Sequence, residues 1–238
     1  MKTCLLALSA LLLLTTAKAQ TADEIIAKHI EAIGGKDLIA QVKSVYIESG
    51  TQVMGNDAPT KTSIIAGKGY RNETDFNGQM IMQVVTDKNA WMINPFAGAS
   101  EATAMSDDDF KAASDAVFVP DPLVNYAANG ATVELQGQEK VGDVNAYKIK
   151  YTNKFGSDIV FYIDSATNYI IQTVKKGTAM GQEVTVTTAY SNYQKTDFGI
   201  FMPYSININM GQFALDIATK KVEINGNVDE KIFEMPGK

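Results

Sequence analysis

Few residues of this chain are of types that commonly carry out catalysis, and the sequence contains a single histidine, His29. The one cysteine, Cys4, lies among the first residues, so the remainder offers no thiol nucleophile and no cysteine metal ligand. A Ser-His-Asp triad would need His29, yet the chain lacks the Gly-x-Ser-x-Gly turn that presents such a serine. Nucleotide-binding glycine fingerprints and Gly-Lys-Ser/Thr phosphate loops are absent from the sequence as well. Carboxylates are the groups that remain for catalysis.

Neither the histidine nor the densest acidic run predicts a metal site. His29 falls with Lys28 outside the apolar stripe of a short amphipathic helix, so we expect it on the surface. The run 107–109 is three aspartates without the alternating spacing and glycine of a calcium loop. It follows Ser106, an expected N-cap, where carboxylates stabilise the helix dipole. The sequence therefore predicts no metal and no cofactor.

The first 19 residues have the pattern of a signal peptide. Lys2 supplies the positive start, Leu5 to Leu14 form the apolar run, and Ala17-Lys18-Ala19 is a small-x-small cleavage site. A run of about ten residues is too short to cross a bilayer core of about 30 Å as a helix. Cys4 precedes this run, whereas a lipid-attachment cysteine would follow it. We therefore expect residues 20–238 to be exported as one soluble domain without an attached lipid.

The charge balance argues against polyanionic partners. The formal net charge is −6, and it becomes more negative by two when Lys2 and Lys18 leave with the signal peptide. Nucleic-acid binding is driven by neutralising phosphates with basic side chains, and the only arginine is Arg71. We predict no nucleic-acid partner and no attraction to an anionic membrane surface.

The hydrophobic pattern changes from a helical period to a period of two at Ser44. Thr21 and Glu24 form a capping box before the stripe Ile25, Ile26, Ile30 and Ile33, and Gly34-Gly35 ends this helix. A second short helical turn is expected over Lys36 to Val42. Beyond Ser44, alternating runs separated by turn residues predict about ten or eleven half-buried antiparallel strands in an up-and-down meander.

One long excursion interrupts the meander, and we name Ala97 to Ala128 the lid segment. It begins as a soft stretch to Met105, continues as a helix capped by Ser106, and is expected to end in a short helix over Leu123 to Ala128. Long excursions in compact domains often act as lids.

Several motifs occur in an order that suggests a family. They are Ala146-Tyr147-Lys148-Ile149, Phe161-Tyr162-Ile163-Asp164, Tyr190-Ser191-Asn192-Tyr193, Gly199-Ile200-Phe201-Met202-Pro203 and Ile232-Phe233-Glu234-Met235-Pro236. With the opening helix, this order resembles the LolA-like proteins, the outer-membrane lipoprotein-sorting and lipoprotein-carrier proteins of the Gram-negative periplasm. The resemblance covers nearly all of residues 20–238, although each motif is weak by itself.

The resemblance implies a mainly β (α+β) fold, a single curved antiparallel half-open β-barrel whose concave face is covered by short helices. It implies a non-enzymatic periplasmic protein that holds acyl chains of a lipid or lipoprotein, in outer-membrane lipoprotein sorting or envelope lipid handling. Envelope membrane proteins are the expected partners, and we expect a monomer. Relatives often carry an aromatic-Arg pair followed by an acid, as in Tyr70-Arg71, so Arg71 either contacts the lid or pairs with Glu73, Asp75 or a cross-strand acid.

The expected hydrophobic cavity lies between the sheet and the lid segment. Its predicted lining is apolar and rich in methionine and aromatic side chains, which adapt to variable ligands: Met80, Met82, Trp91, Ile93, Phe96, Phe110, Val117, Leu123, Tyr147 and Ile149.

Two other hypotheses stay open beside a lipid or lipoprotein carrier. One is a structural or regulatory module that binds a protein through a sheet edge or face. The other is an enzyme that uses paired carboxylates, for example on a glycan. An apolar cavity would favour the carrier, a filled core with an exposed apolar patch the interaction module, and a polar cleft with two close carboxylates the enzyme.

Overall fold

In the described part of the chain, one antiparallel sheet of thirteen strands forms the body of the protein. The computed structural model describes residues 20–53, 56–179, 182–211 and 214–237, so the expected signal peptide, residues 1–19, lies outside the described residues. The strands are β1 Ser44–Val53, β2 Asn56–Ile65, β3 Gly69–Phe76, β4 Gln79–Thr86, β5 Ala90–Asn94, β6 Ala99–Ala104, β7 Thr132–Val141, β8 Val144–Thr152, β9 Asp158–Asp164, β10 Ile170–Ala179, β11 Gln182–Lys195, β12 Phe201–Asn209 and β13 Ala214–Ile224. The prediction of a single antiparallel sheet is confirmed, with more strands than the sequence indicated and with the expected meander divided into two.

The strand order explains why a long segment must cross the sheet. The order is β6-β5-β4-β3-β2-β1-β13-β12-β11-β10-β9-β8-β7, so two meanders are joined by the pairing of β1 with β13. β6 and β7 follow each other in the chain but lie at opposite edges, and the sheet is not closed. The chain between them, residues 105–131, is named the crossing segment. It contains α3 (Asp107–Ala113) and a 3-10 helix (Ser114–Val117).

The contacts of this 3-10 helix show how strongly the sheet curves. Gly67, in the β2–β3 turn, donates its N–H to the Val117 carbonyl at 2.8 Å. On the other side of the helix, the Tyr151 hydroxyl of β8 donates to Asp115 Oδ1 at 2.8 Å. β2 and β8 would lie roughly 34 Å apart in a flat sheet with strands about 4.8 Å apart. A four-residue helix reaches both, so the sheet must curl around it.

Two helices at the start of the described chain cover the same face. α1 (Ala22–Ala32) begins with the predicted capping box, in which Thr21 and Glu24 bond reciprocally. Its Ile25 and Ile26 are buried against β8–β10, while α2 (Lys36–Ile39) packs Ile39 beside the start of β1. We call the face covered by α1, α2 and the crossing segment the inner face.

The C-terminal segment covers part of the opposite, outer face. It contains a 3-10 helix, Glu230–Phe233, whose Phe233 packs on Trp91 and Met82. Gly69 makes this approach possible, because a Cβ there would lie 2.8 Å from the Phe233 ring. Both faces of the β3–β5 region are therefore covered.

Two local predictions within the lid segment were wrong. The soft stretch after Ala97 contains β6, whose small residues pair with the free edge of β5 and so need little propensity of their own. The expected helix over Leu123 to Ala128 is a series of turns, because Asn125 adopts a left-handed conformation with φ of 56°. The Ser106 N-cap of α3 is confirmed by its hydrogen bond from the Asp109 N–H.

Candidate functional site

An uncovered apolar strip runs across the inner face of the central strands. Along β11–β13, inner-face side chains are half-buried while most outer-face neighbours are more exposed. Register pairs place Ile206 beside Ile217 and Ile208 beside Leu215. Tyr190 pairs with Ile206 and packs on the α1 cluster, which fixes the face. We name this strip the groove: Val184, Val186, Ile206, Ile208, Leu215 and Ile217.

The groove residues belong to none of the four buried clusters found in the described residues, and none packs directly on one. Small polar or alanine side chains continue the same face into β1 and β2. Ile217 pairs with Thr51, which pairs with Ala58. Short side chains here leave room above the sheet, so the inner face offers an apolar surface without a protein partner.

The two sides of the groove are built by the crossing segment and α1. On one side Phe110 and Val117 pack on Val85 and Ala90 of β4 and β5. On the other side Leu123, fully buried, joins Ile25 of α1 and the aromatic residues of β8 and β9. The crossing segment thus rests on both flanks of the curved sheet, with the groove between them.

His29 is buried rather than exposed, which corrects the prediction from its charged neighbours. Its side chain is 1% exposed, with Nε2 3.1 Å from Asp121 Oδ2 and Nδ1 2.8 Å from the Asn168 carbonyl. Both partners accept hydrogen bonds, and only the imidazolium form can donate to both. Burial alone would lower the pKa of His29, but the charge and hydrogen bond of Asp121 raise it above 6.5. His29 therefore ties α1 to the crossing segment and to the β9–β10 turn.

A second polar group under the crossing segment is centred on Asp115. Its carboxylate accepts hydrogen bonds from the Tyr151 hydroxyl at 2.8 Å and from Asn153 Nδ2 at 2.9 Å. Burial raises the pKa of Asp115, although both hydrogen bonds oppose the shift. Burial also lowers the pKa of Lys175, which Asp115 partly offsets. No local sequence pattern predicts this group, because Asp115, Tyr151 and Lys175 come from a 3-10 helix and two strands that are far apart in the sequence.

A polar cavity of about 270 Å³ lies beside this group, and Asp87, Asp115 and Lys154 are among its lining residues. Both Asp115 oxygens already accept hydrogen bonds, which leaves that carboxylate poorly placed for acid-base work. Asp158 pairs with Lys150, and Asp164 holds the following turn through the Ala166 N–H. No cluster of three or more His, Cys, Asp or Glu suited to a metal occurs among the described residues.

Solved structures share this architecture. A LolA superfamily protein from Nitrosomonas europaea superposes with a TM-score of 0.58 at 12% identity, over 91% of this chain and 98% of that chain. The chain has the fold of the LolA superfamily. A putative outer membrane lipoprotein-sorting protein domain from Vibrio parahaemolyticus gives 0.57 at 11% identity, over 88% and 94%. A DUF1329 family protein from Desulfovibrio piger gives 0.52 at 14% identity, over 91% and 98%. No protein-family model and no curated protein matches the sequence.

Within this LolA-like fold, the ten residues predicted to line the cavity separate into different places. Met82, Trp91 and Ile93 lie on the outer face, packed against the C-terminal segment, so they do not face the lid segment as expected. The prediction failed because both faces of β4 carry apolar side chains, so the alternating pattern does not identify which face is the inner one. Met80 and Phe96 are 41% and 59% exposed, away from any buried cluster among the described residues.

The other predicted lining residues do lie on the inner face. Phe110 and Val117 pack on β4 and β5, whereas Leu123, Tyr147 and Ile149 belong to the α1 cluster. These five side chains flank the groove rather than form it. The prediction missed the groove residues because their alternating pattern marks a half-buried strand whether or not something covers it.

Arg71 holds the C-terminal segment and, among the described residues, forms no hydrogen bond or ion pair with the lid segment. Its guanidinium donates to Glu73 Oε1 at 2.8 Å and to the Ile232 carbonyl at 2.6 Å. The pairing with Glu73 was one of the two predicted roles. The expected lid contact is corrected, because Arg71 projects from the outer face of β3.

No helix within the described residues is long and apolar enough to cross a membrane.

Proposed function

We propose that this protein is a non-enzymatic periplasmic binding protein that holds acyl chains of a lipid or lipoprotein in the groove. Its process is outer-membrane lipoprotein sorting or another form of envelope lipid handling. The observation that carries the proposal is the half-buried apolar groove, whose residues join none of the buried clusters of the described residues. Each methylene that a ligand buries there contributes about 0.8 kcal/mol, so one acyl chain can bind firmly.

Two further facts support this function. The fold is that of LolA superfamily proteins, and one similar structure is described as a putative outer membrane lipoprotein-sorting domain. The N-terminal pattern predicts export, which gives the protein access to envelope lipids. Native mass spectrometry of protein purified from a membrane-containing host tests the class directly, and co-purified lipid is the expected result.

A substitution in the groove locates the site. We expect Ile217→Glu to weaken binding of a fluorescent fatty-acid probe by about tenfold or more, because an acyl chain would have to lie against a carboxylate. The measurement is probe titration followed by fluorescence. The matched control is Ala218→Glu, since Ala218 is the next residue on β13 and is exposed on the outer face.

Both variants are checked for folding by chemical denaturation before the titration. Equal binding by folded Ile217→Glu and the parent would place the ligand outside the groove. Absence of probe binding and of co-purified lipid in the parent would remove the proposed function itself.

A further inference from the structure

Lys175 brings a positive charge to the inner face beside the groove. It lies on β10 and pairs with Ile159 on one side and Val186 on the other. Ile159 packs on the α1 cluster and Val186 is a groove residue, so all three side chains share the inner face. Lys175 therefore stands where the covered flank of the sheet meets the groove.

The Lys175 amine has no hydrogen-bond partner among the described residues. No carboxylate of these residues lies within 4.0 Å of it, and the nearby Asp115 already accepts hydrogen bonds from Tyr151 and Asn153. Every fully buried side-chain nitrogen or oxygen in the described residues does have a partner. The amine must consequently open on accessible space, where its donors are free to meet a ligand.

Lys175 has no charged neighbour among the described inner-face residues of the central strands, whereas Lys154 acts on Asp115 from the polar cavity. The described inner-face positions of β11–β13, β1 and β2 carry apolar, small, hydroxyl or amide side chains, and none of them is charged. Burial lowers the pKa of Lys175, which fits an ammonium group that lacks its full solvation. A single cation at the end of an apolar strip is a pattern that matches one class of ligand.

We propose that the groove binds an anionic amphiphile, whose acyl chain lies on Val186, Ile206 and Ile217 and whose acidic head pairs with the Lys175 amine. The inference rests on the proposed function and specifies the ligand class of the same site. A carboxylate or phosphate head would supply the counter-charge that Asp115 leaves incomplete, and a neutral head would leave the amine without a partner.

The test compares probes that differ only in the head group. A fluorescent 16-carbon fatty acid, its methyl ester and the alkyl phosphate of equal length are titrated against the folded parent. We expect the acid and the phosphate to bind about tenfold or more tightly than the ester, since a charge-assisted hydrogen bond is lost in the ester. The acid and phosphate affinities show which anionic head is preferred.

Variants at Lys175 assign the preference to this residue. Lys175→Gln is expected to lower acid binding to the level of the ester without changing ester binding, and Lys175→Arg should keep the preference. Lys176→Gln is the matched control, because Lys176 lies on the outer face and pairs with Glu183 at 2.7 Å. Each variant is checked for folding by chemical denaturation.

The outcomes separate the two proposals. Equal binding of acid, phosphate and ester by the parent would overturn the anionic head while the acyl-chain groove stands. A folded Lys175→Gln protein that still prefers the acid would show that another group binds the head. Binding of none of the three probes would count against the proposed function.

Discussion

Replacing Trp91 by alanine is expected to lower the free energy of unfolding by about 3–5 kcal/mol. Trp91 is 1% exposed and packs with Met82 and Phe233. Its Nε1–H also donates to the Phe233 carbonyl at 3.0 Å, so the substitution leaves a cavity and an acceptor without its donor. Urea or guanidinium unfolding of parent and variant gives the difference.

Two companion variants divide this effect. Trp91→Phe keeps most of the ring contacts but removes the N–H, and we expect it to cost less than Trp91→Ala. Met92→Ala, on the inner face of the same strand, removes a side chain that is only partly buried and should also cost less. A cost for Trp91→Ala as small as that of Met92→Ala would contradict the docking of the C-terminal segment on the outer face.

The same variant also tests which face meets the ligand. Trp91 points away from the groove, so folded Trp91→Ala protein should bind the fatty-acid probe with unchanged affinity. Loss of probe binding in a folded variant would mean that Trp91 lines the ligand site, as the sequence analysis predicted. The stability measurement thus tests the packing on the outer face, and the binding measurement tests the groove on the inner face.

Much of the fold could be predicted from the sequence because its signals are local. The Thr21 capping box, the Ser106 N-cap and the change of period at Ser44 each depend on residues within a few positions of one another. The half-open barrel was predicted from the resemblance to LolA-like proteins, which the order of the motifs suggested. The strand β6 was not predicted, because its residues are small and it is a strand only through its pairing with the free edge of β5.

The site was harder to predict, because the identity of a face depends on contacts between distant parts of the chain. β4 could present either Met82 or Val85 inward, and the choice is made by the C-terminal segment and by Val117. His29 has the local neighbours of a surface residue, yet Asp121 is 92 positions away. Likewise, Lys175 can be placed on the inner face beside the groove only from the register of β9, β10 and β11.

The buried His29–Asp121 pair carries the second large expected effect. His29→Ala removes an imidazolium that donates to Asp121 and to the Asn168 carbonyl, and Asp121 is only 15% exposed. Removing one partner of a buried ion pair leaves the other charge uncompensated, at a cost of about 3–5 kcal/mol. We expect a loss of this order in the free energy of unfolding at pH 6.

The loss should depend on pH in a defined direction. The pKa of His29 is raised above 6.5 in the folded protein, so its charged form stabilises the fold fully below about pH 6.5. That contribution disappears as the pH rises through the raised pKa. The stability difference between the parent and His29→Ala should therefore shrink between pH 6 and pH 9, as measured by denaturation at several pH values.

Asp121→Asn is the matched control that tests whether the effect depends on the protonated form of His29. A neutral His29 can donate from Nδ1 to the Asn168 carbonyl and accept at Nε2 from the new amide, so this variant no longer requires the imidazolium. Its stability should show less of the decline that the parent shows above pH 6.5. A parent whose advantage over His29→Ala stays constant or grows with pH would mean that His29 is neutral when folded. The link between α1, the crossing segment and the β9–β10 turn would then depend on one hydrogen bond instead of an ion pair.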